Sequence, residues 1–249
     1  LVIAGKYLEL TGDVEYFISH RDISDKAEEI YQGMLKHKHG EKALFSSRYA
    51  SDLIVFKKYD YGANVQCFYA LKSYKRIRQA LGKSTQEVDR LLARMPADMK
   101  ECMEAEGPFG RHITRGSSLG ENREERFYIP EDLYYYGGED TATVRAPLYG
   151  LYGFDYEPYV NLHRFARSLF ITSYDPEFQT MRELHFGMNP SATGCILRLG
   201  GSYTRREMLD TLKILYGRLD ETGSLFWWPR ADNKKRCLTR CSQGQGAWV

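Results

Sequence analysis

The sequence predicts a mainly α fold, a layered α/α barrel of helical hairpins whose long loops gather into a cleft. Three observations carry this. Apolar residues recur at steps of three and four over helix-length stretches. Those stretches come in pairs, as in Gly62–Leu81 followed closely by Thr85–Glu106, with short turns and long loops alternating. Alternating strand patterns are few, the best being Asp52–Phe56 and Cys195–Leu199. Paired helices of this kind suit a layered barrel or a solenoid. The absence of an internal repeat argues against a regular TPR-like or HEAT-like array.

The elements follow in order. Leu1 to about Leu10 forms the first helix, stopped at Thr11-Gly12-Asp13, where Gly supplies a left-handed cap. Ile23, Ala27, Ile30 and Met34 make the apolar stripe of the next, which runs out in the basic Lys36–Gly40 cluster. Val65, Phe68, Leu71, Tyr74, Ile77 and Leu81 mark a longer helix closed by Gly82. Ser84 and Glu87 then read as a capping box that introduces Val88, Leu91, Leu92 and Met95. Pro96 is expected to kink or restart that helix before Met99 and Met103, because it lacks an N–H and crowds the preceding turn. After a long irregular stretch, Leu162, Phe165, Ala166 and Leu169 form a helix begun just after Pro158. The last stripe is Met208, Leu212, Leu215 and Leu219, with Ser202 or Thr204 as N-cap. The organisation expected is one catalytic domain over 1–249, or a fragment of one, with 107–157 as a loop region around the active site.

Composition narrows the function. The 249 residues carry 35 Lys+Arg against 33 Asp+Glu, a net charge of +2 that gives nucleic acid no concentrated basic face. No apolar run approaches a membrane span, so neither a nucleic-acid nor a membrane partner is expected. The five cysteines are scattered without a framework or a completed zinc site, and are read as free buried thiols of a soluble, reducing, cytoplasmic setting. The six histidines assemble no metal-ligand spacing, and phosphate-binding loops and a nucleophile elbow are missing, so no metal or cofactor is expected. Aromatic residues reach 14%, with 19 Tyr, which supplies rings for packing and for a sugar-stacking groove alike.

The segment Tyr7-Leu8-Glu9-Leu10-Thr11-Gly12-Asp13 resembles the Y-L-x-x-T-G-D helix ending of six-hairpin, (α/α)6-toroid glycoside hydrolases. The order that follows is similar: a helix, a loop with an acidic residue, then Tyr61-Gly62-Ala63-Asn64 opening a helix that ends Ala80-Leu81-Gly82. The resemblance spans about Leu1 to Glu106 and implies a toroid, a carbohydrate substrate, and substrate-facing roles for Tyr61 and Asn64. Where those enzymes carry Trp-Asp or Asp-Trp before the aromatic–Asn helix, this chain has Ser51-Asp52-Leu53 and Tyr59-Asp60-Tyr61, without the Trp.

Glycosidic cleavage needs two carboxyl groups, one protonated for the leaving oxygen and one ionised. The stretch from Gly107 to Glu157 is long for a connection and rich in rings, Tyr134, Tyr135 and Tyr136 among them. It holds Gly137-Gly138-Glu139-Asp140-Thr141, where two glycines permit close backbone approach and neighbouring rings would raise a carboxyl pKa. Glu139 is therefore the leading acid candidate. Asp140 is a catalytic candidate or the cap of a helix starting near Ala142. Asp52 and Asp60 are the candidates for the opposing carboxylate. Tyr136, Trp227 and Trp228 would form the sugar platform, or pack as core, and Arg230 would hold a hydroxyl or carboxylate or stand as a surface cation. The function expected is hydrolysis of a glycoside or oligosaccharide by carboxylate acid/base catalysis. The alternatives are an (α/α)-barrel polysaccharide lyase or sugar epimerase, and a non-catalytic helical scaffold that binds glycan or protein.

Overall fold

The computed structural model describes residues 1–46, 49–50, 53–54, 59–114, 116–117, 119, 146–162, 164, 206 and 209. These are mostly helical, with three small two-stranded sheets. The chain divides into two compact units, one comprising 1–104 with 115–125, the other 105–114 with 126–249.

The first unit is organised around one central helix. Helices α1 (Val2–Thr11), α2 (Val14–Ser19) and α3 (Arg21–Leu35) precede the short pair β1 (Tyr49–Ala50) and β2 (Leu53–Ile54). Strand β3 (Tyr59–Asp60) leads into α4 (Tyr61–Ala80), and α5 (Gln86–Cys102) returns alongside it. The four other helices of this unit, α1, α2, α3 and α5, each pack on α4. Its buried residues accordingly run Tyr61, Asn64, Val65, Phe68, Leu71, Ser73, Tyr74 and Ile77. Steps of three advance only about 300° around the axis, so the line from Val65 to Ile77 winds backward by about 60° per step and presents apolar surface to one neighbour after another.

The α1–α2 joint is built by the Thr-Gly-Asp segment. Gly12 takes φ 66°, and its N–H donates to the Leu8 carbonyl, closing α1. Thr11 Oγ1 donates to the Tyr7 carbonyl and accepts from the Asp13 amide, while the Tyr7 hydroxyl donates to Asp13 Oδ2 at 2.9 Å. The other Asp13 oxygen accepts from the Tyr16 amide and so caps α2. Each residue of the segment thus has a mechanical role in turning one helix into the next.

Three expectations need correction. The buried face of α3 is Ser24, Ala27 and Tyr31, rotated by about 60° from the expected stripe at 100° per residue. Ile30 is 40% exposed, because the stack of Tyr31 on Tyr74, with ring centroids 4.4 Å apart, sets the helix's orientation instead. The N-cap of α5 is Thr85 rather than Ser84, and its hydroxyl is turned to Asp89 Oδ2 instead of a backbone amide. Finally, of the two outcomes expected at Pro96 the restart does not occur: α5 runs through it to Cys102, with Met95, Met99 and Met103 all buried around it, and burial of that size offsets one missing hydrogen bond. The helix does stop short of Glu106: β4 (Glu104–Gly107) begins there.

In the second unit, β4 pairs with β5 (Gly110–Ile113), so the region expected as loop opens with a hairpin. A turn over 146–150 precedes a helical stretch over 157–162 that begins just before Pro158, with Tyr159 and Leu162 buried. Asn161 Nδ2 donates to the Arg111 carbonyl and fastens this stretch to β5. Back in the first unit, β6 (Gly116–Ser117) pairs antiparallel with β3. Among the described residues no helix is long and apolar enough to cross a membrane.

Candidate functional site

Among the described residues of the first unit a buried polar cluster lies where β3 turns into α4, at the position for which substrate contacts were expected. Its geometry follows from the loop after α3. Residues Ala43, Leu44 and Phe45 are buried to 2% exposure or less, yet they form no helix or extended strand. Their amides and carbonyls therefore need partners from elsewhere. Within the loop, the His39 amide donates to the Leu44 carbonyl and the Ser46 amide to the His37 carbonyl. The rest is supplied by side chains.

Asn64 supplies most of it. Its Oδ1 accepts from the Phe45 amide at 2.8 Å, and its Nδ2 donates to the Phe45 carbonyl at 3.0 Å and the Asp60 carbonyl at 2.8 Å. Asp98 of α5 supplies the other anchor, accepting from the Ala43 amide at 2.6 Å and from Arg94 Nε at 3.0 Å. Lys42 stands at the rim, 2.8 Å from Glu101 and 4.0 Å from Asp98, and its pKa is raised chiefly by the bond to Glu101. Asp60 Oδ1 accepts from the Ala63 amide and caps α4, with the residue 1% exposed. Tyr61 is equally enclosed, at 3%.

Thus the three sequence candidates that fall within the described residues, Asp60, Tyr61 and Asn64, are brought together where β3 enters α4. Asp60 holds a helix end and Asn64 grips a loop. Asp52, Tyr136, Glu139, Asp140, Trp227, Trp228 and Arg230 lie outside the described residues.

A second polar network joins α3 to α4. The Tyr74 hydroxyl donates to Glu28, Arg78 donates to Glu28 Oε2 at 3.1 Å and to the Tyr74 oxygen at 3.0 Å, and Gln32 donates to Glu28 Oε1. The bond from Tyr74, with further donors around it, lowers the Glu28 pKa, while burial and the Glu28 contact push Tyr74 up to about 12. Burial raises Tyr31 as well, with Glu87 adding to it. Both phenols therefore stay protonated at neutral pH and serve as packing rings with a donor at the tip.

Sequence reasoning missed Asp98 and this network. Asp98 was readable as an acid set between Met95 and Met99 on one helix face, with Arg94 four residues before it. Cys67 and Cys102 are free and half-buried, and burial pushes the Cys67 thiol up to about 12. Among the described residues no group of three or more His, Cys, Asp or Glu is placed to hold a metal ion.

An apolar groove of about 560 Å³ runs between α1, α2 and α3, lined by Ile3, Tyr7, Tyr16, Phe17, Ile23 and Ile30 among others. Ile23 and Ile30 of the expected α3 stripe thus line a groove. Comparison with protein-family profiles, with curated proteins and with solved structures finds no match to this chain.

Proposed function

We propose that the chain is the catalytic part of an (α/α)-toroid glycoside hydrolase, with Glu139 as general acid and Asp52 or Asp60 opposite it as the ionised partner. The observation that carries this reading is the glycine-preceded acidic pair Glu139-Asp140 set directly after Tyr134-Tyr135-Tyr136. Rings beside a carboxyl group disfavour its ionised form and suit it to protonating a leaving oxygen. The helical hairpin α4–α5 and the Tyr7–Asp13 joint support the architecture in which such a site would sit. The cap made by Asp60 and the grip made by Asn64 give those residues work in the scaffold, which favours Asp52 over Asp60 as the carboxylate opposite Glu139. Trp227, Trp228 and Tyr136 are then the sugar-stacking rings, and Arg230 the polar clamp.

The test is a screen of glycosides and oligosaccharides, followed by Glu139→Gln and Asp60→Asn on any substrate found. Glu139→Gln is expected to lower turnover by about 10²–10⁴-fold with an unchanged unfolding midpoint. Asp60→Asn is expected to lower the midpoint instead. Near-normal turnover in Glu139→Gln removes that residue from the mechanism. Products that absorb in the ultraviolet, from uronate polymers, would move the reading to a lyase.

A further inference from the structure

We draw no further inference here: the strongest candidate, the apolar groove between α1, α2 and α3 lined by Ile3, Tyr7, Tyr16, Ile23 and Ile30, is an unpartnered face, and nothing in the structure shows what covers it.

Discussion

Two glycines inside helices are expected to respond to the same substitution with opposite sign. Gly5 is buried where α1 crosses α4, and a Cβ built on it would lie 2.6 Å from Ser73 Cα and 2.7 Å from Ser73 Oγ, with Ser73 Cβ closer still. Since one of those atoms is backbone, no change of rotamer relieves the contact. Ordinary carbon contacts need about 3.5–4.0 Å, so α1 must move outward by about 1 Å. Overpacking of this kind costs about 3 kcal/mol at the upper end of its usual range, against about 1 kcal/mol gained from the better helix propensity of Ala. The net expectation for Gly5→Ala is a loss of about 2 kcal/mol. Gly33, within α3, has nothing within 4 Å of its built Cβ, so Gly33→Ala keeps the propensity gain of about 1 kcal/mol. In urea, with a slope near 2 kcal/mol/M, the midpoints should move by about 1 M downward and about 0.5 M upward. A Gly5→Ala protein as stable as the parent, or shifted in the same direction as Gly33→Ala, would refute the close crossing of α1 on α4.

Three further expectations test the core and the hairpin. Asn64→Leu keeps the volume but strips partners from the Phe45 amide and carbonyl and from the Asp60 carbonyl, and should cost about 3 kcal/mol or more; an unfolding midpoint near the parent's would show that the loop is held by other means. On α3, Tyr31→Ala should cost about 3–5 kcal/mol and the partly exposed Ile30→Ser only about 1–2 kcal/mol, and equal losses in denaturant titrations would mean that the other face of the helix is buried. His112 is 2% exposed in β5, and burial lowers its pKa below the ordinary value of 6.5, despite its bond to the Ile113 carbonyl. A depressed native pKa means the unfolded chain takes up the proton first. The contribution is complete above pH 6.5 and is lost as pH falls through that value toward the lower native one. Melting temperatures of the parent and His112→Gln should therefore converge on acidification across that window, and a constant gap would remove the imidazole as the cause.

Helix existence was legible because periodicity reports burial directly. Even the central position of α4 was written in its spacing: an unbroken run of threes from Val65 to Ile77 cannot stay on one side of a helix. The orientation of α3 was not legible, since Tyr31 is buried by pairing with a ring 43 positions away in the chain (74 minus 31), and local apolar spacing carries no record of that partner. Thr85 replacing Ser84 as the N-cap has the same character. Both hydroxyls could begin a helix, and the choice follows from the Asp89 carboxylate that one of them meets.

The scaffold contacts of Asp60 and Asn64 were hidden in the sequence for a deeper reason. An Asp and an Asn four residues apart at a helix start look alike in sequence whether they hold a substrate or their own chain. What separates the two is the demand elsewhere for backbone partners. Ala43-Leu44-Phe45 is an apolar triplet sitting between helices, and hydrophobic burial draws it inward although its conformation cannot satisfy its own amides and carbonyls. Such a triplet obliges the chain to place buried acceptors and donors opposite it, and Asn64 and Asp98 meet that obligation from two different helices. Polar residues inside apolar stripes should therefore be matched first against apolar loops that need them. By that criterion Asn64 and Asp98 have partners in the loop they face, while Glu139, preceded by two glycines and three tyrosines, is the residue whose chemistry the Glu139→Gln measurement decides.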